Sequence, residues 1–251
     1  MKILTKILLC GACGKMGRVV CDLSAQNEDL SVVCGVDASQ QMMPFPVYAS
    51  FSDVKTDADV IIDFSHPSLL DSMLEYATKT HTPVVIATTG YTDAQIEKIR
   101  ETAKVLPIFF TFNLSLGINL LCNLAQKAAA LLGDDYDVEI IEKHHNQKID
   151  APSGTALMLA NAVNETLDGR CAFEYDRHSK RQKRTKNEIG IHSIRGGTIV
   201  GEHEVIFAGH DETISLSHSA ASKGVFATGA LKAAAFLVGK EAGLYDMSGL
   251  I

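Results

Sequence analysis

Long hydrophobic runs are missing from this sequence. No uninterrupted apolar stretch reaches the roughly 18 residues that a membrane-spanning helix requires, so we predict no membrane span. Excess positive charge is also missing: the formal net charge is −7 and the pI is near 5.7, which argues against a general nucleic-acid binder. Of the 251 residues, 46% are hydrophobic and 21% are charged. This is the profile of a soluble globular protein with one large domain or two smaller ones.

Metal-binding patterns are lacking as well. None of the nine histidines shows the H-x-x-x-H or H-E-x-x-H spacing of a zinc site. Cys10 and Cys13 form a C-x-x-C pair, which could indicate a redox or zinc site. No second pair completes a zinc site, and this pair overlaps a glycine motif that explains it better. We therefore predict no metal site.

The cellular compartment follows from the first residues and the cysteines. The apolar start of the chain is too short for a signal peptide, and it enters a glycine loop instead of a cleavage site. Most of the six cysteines lie in apolar segments, as reduced buried thiols do. We interpret the start as a strand and predict a cytoplasmic protein.

A nucleotide-binding pattern occupies the first forty residues. An apolar run at 6–10, helical spacing at 16–26 and a β-branched run at 30–37 predict one βαβ unit. Between the first two elements, three glycines are spaced G-x-x-G-x-x-G, namely Gly11, Gly14 and Gly17. Glycines there let the backbone approach a pyrophosphate at the helix start. The alternative is a glycine turn with no ligand.

Asp37 ends the second strand, twenty residues after Gly17. An acid at this place accepts hydrogen bonds from a ribose 2′-hydroxyl and repels a 2′-phosphate. The next residues, Ala38 to Gln41, supply no arginine or lysine for such a phosphate, although Lys15 and Arg18 could contact phosphates. We therefore predict that NADH serves at least as well as NADPH.

Strands and helices continue to alternate as far as residue 112. Further strands are predicted at 58–64, 83–87 and 107–112, with helices at 68–79 and after the N-cap Thr92. This alternation predicts a Rossmann-type α/β domain with a doubly wound parallel sheet. Ligands bind at the carboxyl ends of such strands. The polar residues at those ends are therefore cofactor candidates, although each could equally be a plain turn residue: Ser65, Thr88, Thr89 and Asn113.

The second half of the chain has a different pattern. A long helix at 115–132 and a half-buried strand at 137–142 precede a helix that begins after Ser153. Three strands with no helices between them follow, at 189–195, 199–208 and 212–218, and this pattern predicts antiparallel pairing. One last helix is predicted at 223–239. The second half is thus an α+β domain with a mixed or antiparallel sheet.

The segment at 142–156 combines proton donors with an anion site. His144, His145 and Lys148 are groups that donate protons near neutral pH. The helix start after Pro152 offers backbone N–H groups that hold carboxylates. The two histidines would point to opposite faces of a strand, so both can serve one site only if the strand has ended. The alternative is a pair of surface histidines before a capped helix.

The run Glu139-Ile-Ile-Glu142-x-His144-His145-x-x-Lys148-x-Asp150-Ala-Pro-Ser153-Gly154-Thr155-Ala156 resembles the signature of the dihydrodipicolinate (4-hydroxy-tetrahydrodipicolinate) reductase family. Motifs at 11–17, 88–90, 195–197 and 243–247 extend the resemblance over nearly the whole chain. The resemblance implies a dinucleotide-binding domain at 1–114 and 224–251 and a substrate-binding, tetramerisation domain at 115–223. It also implies NAD(P)H-dependent reduction of a cyclic dicarboxylate in the diaminopimelate and lysine pathway.

The resemblance assigns roles to residues. His144 matches the acid position, and Lys148 matches a second proton donor. The residues matching the substrate contacts are His145, Lys148, Ser153, Gly154 and Thr155. The predicted cofactor contacts are Gly11, Ala12, Gly14, Lys15, Met16, Gly17, Asp37, Ser65, Ala87, Thr88, Thr89, Thr111, Phe112, Asn113 and Leu114. The sequence departs from the family at Ala87, where glycine is usual, at 111–114, where smaller residues are usual, and at Lys223, where arginine is common.

Two other functions remain alternatives. Another NAD-dependent dehydrogenase of amino-acid metabolism, such as one acting on a semialdehyde, would use the same nucleotide domain, but nothing in that class explains the 144–155 motif. A non-catalytic NAD(H) sensor would have no need of proton donors beside an anion site.

Overall fold

The computed structural model describes residues 4–39 and 41–250. Two predicted segments lie partly outside the described residues. They are the start of the chain, predicted as a strand, at residues 1–3, and the segment after Asp37 at Gln40. The chain forms two compact units. The first runs to Leu116 and resumes at Lys223, and the second spans Gly117–Ser222.

The first unit is a seven-stranded parallel sheet with helices on both faces. Its strand order is β12-β6-β5-β4-β1-β2-β3. The strands are β1 (Thr5–Cys10), β2 (Leu30–Val36), β3 (Val47–Tyr48), β4 (Val60–Asp63), β5 (Val84–Ile86), β6 (Pro107–Phe110) and β12 (Gly243–Tyr245). The helices are α1 (Lys15–Ser24), α2 (Leu70–Thr80), α3 (Asp93–Ala103) and α6 (Gly224–Leu237).

Burial on both faces explains the near-continuous apolar strands of this unit. Odd and even residues of β1 enter different cores, with Ile7 and Leu9 on the α1 and α6 face and Leu8 on the other. Parallel pairing of β1 with both β2 and β4 places the reversal of strand order beside the glycine loop. The predicted doubly wound sheet is confirmed, as is the capping of α3 by Thr92, which accepts a hydrogen bond from the Gln95 backbone N–H.

Three elements of the first unit differ from the sequence prediction. The two-residue β3 and three-residue β12 were not predicted because neither lies in an apolar run like the one at 83–87, which predicted the three-residue β5. The helix predicted at 68–79 starts as a 3₁₀ turn over Pro67–Leu69 before α2 begins. Proline at the first position suits that turn because it needs no free backbone N–H.

The second unit is a five-stranded mixed sheet in the order β11-β10-β7-β9-β8. Its elements are α4 (Leu116–Leu132), β7 (Asp137–His144), α5 (Gly154–Thr166), β8 (Ala172–Glu174), β9 (Glu188–Arg195), β10 (Gly201–Ala208) and β11 (Thr213–Ala220). The sequence predicted that the last three strands would form one antiparallel run, and this prediction is wrong for β9. Only β10 and β11 pair directly, while β9 pairs parallel with β7. The helix α5 supplies the crossover that parallel pairing requires.

Helices α4 and α5 pack on one face of this mixed sheet. Strand β7 alternates half-buried and buried residues along its whole length, and Val138 and Ile140 enter the core. The opposite face carries Ile141 and Lys143. Strand β7 also extends to His144, two residues beyond the predicted end, and this extension decides the geometry of the histidine segment.

Among the described residues, the segment Leu116–Asp135 is long and apolar enough to cross a membrane by length and composition alone. One such helix is weak evidence, because core helices of soluble proteins pass the same test. Polar side chains interrupt the segment at Asn119, Asn123 and Lys127, so it passes on mean hydropathy without being an unbroken apolar run. Its buried side chains, Ile118, Leu121, Ala125 and Ala129, contribute to the core of the second unit.

Candidate active site

The glycine loop of the first unit requires glycine for steric reasons. Gly11 has φ of 74°, and a Cβ there would lie 2.4 Å from the Phe64 carbonyl oxygen. A Cβ on Gly17 would lie 2.2 Å from the Gly11 carbonyl oxygen. Gly14 is the N-cap of α1 and has no side chain to satisfy the first N–H groups of the helix. The loop therefore leaves a helix start open to an anion, as a dinucleotide pyrophosphate requires.

Asp37 lies directly after β2 and contacts the glycine loop. One carboxylate oxygen accepts the Cys13 backbone N–H at 2.9 Å, and the other accepts the Ser39 backbone N–H at 2.8 Å. Arg18 donates to the Cys13 carbonyl oxygen and to the side chain of Gln41. Asp37 and Arg18 thus hold the loop and the segment after β2 together, where the ribose of a dinucleotide would lie.

Asp63 ends β4 with a buried carboxylate. Ser65 donates to it through both its backbone N–H, at 3.1 Å, and its hydroxyl, and the Tyr91 hydroxyl donates at 3.1 Å. Burial raises the pKa of Asp63, and these hydrogen bonds oppose the rise. Asp63 was not predicted as a site residue. It fixes the predicted residue Ser65 at the carboxyl end of the strand.

The other predicted cofactor residues differ in exposure. Lys15, Thr89 and Phe112 are exposed, whereas Met16, Ala87 and Thr111 are half-buried. The side chains of Ala12, Thr88, Asn113 and Leu114 are buried. Because Ala12 and Leu114 belong to the core, only their backbone atoms could contact a ligand. All of these residues lie in the first unit, at or beside the carboxyl ends of β1, β5 and β6.

In the second unit, strand periodicity places Glu142 and His144 on the same buried face of β7. The Glu142 side chain is fully buried, and one of its oxygens lies 2.6 Å from His144 Nδ1. Because β7 ends at His144, His145 is outside the strand and need not point to the opposite face. The condition under which both histidines could serve one site is therefore met.

Arg195 forms a two-pronged ion pair with Glu142. Its terminal nitrogens donate to the two carboxylate oxygens at 2.8 and 2.7 Å. Burial alone would raise the pKa of Glu142, but hydrogen bonds from Arg195, His144 and Ser193 outweigh it and lower the pKa to about 2. Glu142 is therefore an anion at neutral pH, although it is fully buried.

The same carboxylate fixes the start of α5. Glu142 accepts the Ser153 backbone N–H at 3.1 Å, and the Ser153 hydroxyl accepts the Ala156 N–H at 3.1 Å as the predicted N-cap. A Cβ on Gly154 would meet no atom within 4 Å. Open space therefore lies in front of a helix start, where Gly154 and Thr155 are the predicted contacts of a substrate carboxylate.

Lys148 lies in the loop between β7 and α5. Its Nζ is 2.8 Å from a carboxylate oxygen of Asp150, and its backbone N–H donates to the His145 carbonyl oxygen at 3.1 Å. The Asp150 carbonyl oxygen accepts a hydrogen bond of 2.6 Å from Arg195. Arg195 therefore contacts both the Glu142–His144 pair and the loop that carries Lys148.

His203, the β10 residue opposite Glu142, completes the site. Its Nε2 is 3.1 Å from the Ser153 hydroxyl, and its ring meets the His144 ring edge-on at 5.2 Å between centroids. Burial, together with the neighbouring His144, lowers the pKa of His203 to about 4. His203 is thus neutral at neutral pH, whereas His144 contacts the anionic Glu142. The two rings therefore differ in their electrostatic surroundings.

Sequence reasoning did not assign roles to Glu142, Arg195 or His203. A signal for Glu142 was present, because a residue two positions before His144 in a strand shares its face. Arg195 and His203 lie in stretches that match the family, but nothing local indicated a role in this site, since they reach it through pairing of β7 with β9 and β10.

Comparison with known proteins agrees with this geometry. The family description "Dihydrodipicolinate reductase, N-terminus" matches residues 5–114, and "Dihydrodipicolinate reductase, C-terminus" matches residues 117–251. The chain is 49% identical over 249 residues to a 4-hydroxy-tetrahydrodipicolinate reductase of Caldanaerobacter subterraneus subsp. tengcongensis, with 99% of both chains covered. A reductase of the same name from Clostridium novyi is 48% identical, with 99% of this chain and 98% of the relative covered.

A solved structure is also similar. It is the dipicolinate-bound dihydrodipicolinate reductase from Paenisporosarcina sp. TG-14, which is 25% identical and superposes with a TM-score of 0.83, covering 99% of this chain and 100% of that one. The predicted resemblance is confirmed: the chain belongs to the dihydrodipicolinate reductase family.

Proposed function

We propose that this chain catalyses the NAD(P)H-dependent reduction of 4-hydroxy-tetrahydrodipicolinate to tetrahydrodipicolinate, with loss of water. One observation carries the assignment. The buried Glu142 carboxylate contacts both His144 Nδ1 and the backbone N–H of Ser153 at the start of α5. A proton donor and an anion-binding helix start are thus fixed by the same group, which suits a substrate that carries carboxylates and takes up a proton.

Loss of the 4-hydroxyl group as water creates a conjugated C=C–C=N ring, and this ring then takes up one hydride and one proton. When bound, the reduced nicotinamide supplies the hydride to the conjugated C=C–C=N system. The ring then accumulates negative charge that a nearby acid must neutralise. We assign that role to His144, with Lys148 as a second proton donor. Proton transfer of this kind contributes about 10²- to 10⁴-fold in rate.

We assign the substrate carboxylates to the α5 start and the neighbouring loop. The residues proposed to contact them are His145, Lys148, Ser153, Gly154 and Thr155. The helix start supports this role, since backbone N–H groups and the helix dipole favour an anion there. The open space at Gly154 supports it as well.

We assign the dinucleotide to the first unit. The open N-terminus of α1 and the close approach of Gly11 to the Phe64 backbone support binding of a pyrophosphate by the glycine loop. The remaining proposed contacts follow the carboxyl ends of β2, β4, β5 and β6. The second unit is assigned to substrate binding and oligomerisation.

A coupled assay tests the function. Pyruvate, aspartate semialdehyde and the synthase that condenses them generate the substrate, and oxidation of NADH is followed by its absorbance in the near ultraviolet. We expect synthase-dependent oxidation. Tight NADH binding without oxidation would indicate a sensor instead, and oxidation that needs only aspartate semialdehyde would indicate a different dehydrogenase.

Variants test the two proton donors. We expect His144→Gln and Lys148→Ala each to lose about 10²- to 10⁴-fold in kcat with unchanged NADH affinity, since both residues belong to the second unit. The matched control is Lys180→Ala, a lysine of the same unit that pairs with Glu174. Near-normal turnover by both variants would remove His144 and Lys148 from these roles.

We propose that NADH is used at least as well as NADPH. Asp37 supports this proposal, because its carboxylate lies where a 2′-phosphate would be repelled. Steady-state kinetics with both cofactors test it, and Asp37→Asn should shift the preference towards NADPH. A KM for NADPH far below that for NADH in the wild-type enzyme would contradict the proposal.

We propose that the enzyme is a homotetramer that associates through the mixed sheet. The sheet face opposite α4 and α5 supports this, since it carries the apolar side chains Ile141 and Ile206 beside the Lys143–Glu202 ion pair. Light scattering after size exclusion should give four times the chain mass. Ile206→Glu should lower it, and a monomeric wild-type protein would rule the assembly out.

We propose a cytoplasmic location. All six cysteines are free thiols, which is typical of proteins from a reducing compartment. Cell fractionation followed by the coupled assay tests this, and activity confined to a membrane or secreted fraction would contradict it.

A further inference from the structure

We infer that Glu142 and Arg195 are positioning residues that keep the Nδ1 of His144 protonated, so that Nε2 is the nitrogen that takes up and delivers the transferable proton. The inference rests on the proposed function of His144 as proton donor. Glu142 is assigned no contact with substrate or cofactor. It acts through His144, and Arg195 acts through Glu142.

The hydrogen bonds of Glu142 determine the tautomer. Its carboxylate is fully buried and accepts hydrogen bonds from Arg195, from the Ser153 N–H, from His144 and from the Ser193 side chain. An ionised carboxylate can only accept, so His144 Nδ1 must carry the hydrogen that lies between them. The distance of 2.6 Å suits a charge-assisted hydrogen bond. Nε2 is therefore the nitrogen that gains and loses the transferable proton.

The surroundings of Nε2 suit that task. No described residue forms a hydrogen bond with it, and the His144 side chain retains 11% of its exposure. A Cβ on Gly201 would lie 3.2 Å from Nε2 and 3.5 Å from Cδ2. The glycine at the start of β10 thus leaves the outer edge of the ring uncrowded.

Arg195 makes a buried anion possible at Glu142. Without a cation, burial would favour the protonated acid, and Glu142 could then take the Nδ1 proton of His144 and leave the neutral ring with its hydrogen on Nε2. The same guanidinium donates to the Asp150 carbonyl oxygen at 2.6 Å, and the Asp150 side chain pairs with Lys148. Arg195 therefore links the segments that carry both proton donors.

The groups around His144 come from four elements. Glu142 belongs to β7, Arg195 to β9 and His203 to β10, while Lys148 belongs to the loop before α5. His203 bonds to the Ser153 hydroxyl, and no acidic side chain in the described part of the chain forms a hydrogen bond with it. Of the two rings, His144 is therefore the one that contacts the carboxylate.

Nitrogen NMR of the wild-type enzyme without substrate tests the tautomer directly. In its neutral form, reached by raising the pH until the ring signals stop moving, we expect the His144 ring to be protonated at Nδ1 and bare at Nε2. The His144→Gln variant identifies its signals. A neutral ring protonated at Nε2 would overturn the inference, whether or not any Glu142 variant folds.

Glu142→Gln tests the positioning role in the reaction. An amide can donate to Nδ1, which favours the wrong tautomer and disfavours the imidazolium. We expect kcat to fall by about 10²- to 10⁴-fold, KM and NADH affinity to stay within a few-fold, and the pH at which kcat declines to move lower. The control is Glu165→Gln, an exposed carboxylate on α5. A folded Glu142→Gln enzyme with wild-type kcat and pH profile would overturn the inference.

A double-mutant cycle tests whether Arg195 acts through Glu142. Arg195→Met should lower kcat strongly in the wild-type enzyme and only slightly in the Glu142→Gln background. Arg195→Lys, which keeps the charge but loses the fork, should retain more activity than Arg195→Met. Fully additive losses would contradict the coupling. An inactive wild-type enzyme would instead reject the proposed function, and the tautomer measurement would still stand.

Discussion

Replacing His203 by glutamine should make the enzyme less sensitive to acid. His203 is 5% exposed, and its Nε2 lies 3.1 Å from the Ser153 hydroxyl. Burial, with a contribution from the neighbouring His144, lowers its pKa to about 4. Glutamine can offer its amide to the same hydroxyl and does not titrate. The variant therefore keeps a polar partner for Ser153 while removing the buried titration.

The magnitude follows from the two protonation states. In the unfolded chain the imidazole binds a proton as the pH falls through about 6.5, whereas in the folded protein it does so only near pH 4. Between these values the unfolded state holds more protons, so stability falls as the pH falls. The interval of roughly 2.5 pH units corresponds to about 3 kcal/mol. The Glu142 carboxylate contributes at lower pH, because its stabilisation is lost from about 4.5 down to about 2.

Urea unfolding at fixed protein concentration measures the effect. The chain has no tryptophan, so far-ultraviolet circular dichroism is the suitable signal. From pH 7 to pH 4 the wild-type protein should lose about 3 kcal/mol relative to His203→Gln. His210→Gln is the matched control, since the side chain of His210 is 97% exposed in the same unit. Parallel pH profiles for wild type and His203→Gln would refute the reasoning.

Three glycine and capping variants give further expectations. Ser153→Ala should cost about 1 kcal/mol through loss of the α5 cap, measured as a lower urea midpoint; an unchanged midpoint would contradict the cap. Gly154→Ala should leave the urea midpoint nearly unchanged, because a Cβ there meets no protein atom within 4 Å. It should raise the substrate KM, because the new methyl group would occupy space proposed for a substrate carboxylate. Gly17→Ala should cost at least about 1–3 kcal/mol and abolish NADH binding in calorimetry, since its Cβ would lie 2.2 Å from the Gly11 carbonyl oxygen. Wild-type NADH affinity in that variant would contradict the loop geometry.

The first unit was predictable because its signals are local. Apolar runs of five or more residues, a glycine loop and the Thr92 cap each act within a few residues, and they specify a doubly wound parallel sheet. The second unit was less predictable because its strand order depends on long-range pairing. Nothing in the segment at 188–208 indicates that β7 lies between β9 and β10. The absence of helices between consecutive strands therefore predicted the antiparallel β10–β11 pair correctly but wrongly made β9 and β10 neighbours.

The residues of the site also divide into those with a local sequence signal and those placed by long-range structure. His144, Lys148 and Ser153 could be proposed from one contiguous motif, and the structure brings their segments together around Glu142. The exact end of β7 could not be predicted, yet it places His144 on the buried face and leaves His145 outside the strand. Asp63 was missed because a buried acid at a strand end looks like any other strand residue until its hydrogen bonds to Ser65 and Tyr91 are seen.

The ion pair between the buried Glu142 and the half-buried Arg195 has no evident value for stability alone. Replacing such a pair by well-packed apolar side chains is often neutral or stabilising, whereas removing one partner costs about 3–5 kcal/mol. What the pair supplies here is orientation: its carboxylate receives hydrogen bonds from His144 and Ser153, and its guanidinium contacts the Asp150 backbone. An apolar pair would leave the His144 ring free to adopt either tautomer and the α5 start without its second anchor. The ion pair therefore serves to orient the groups of a proton-transfer site, and a cost in stability is expected for a pair kept for orientation.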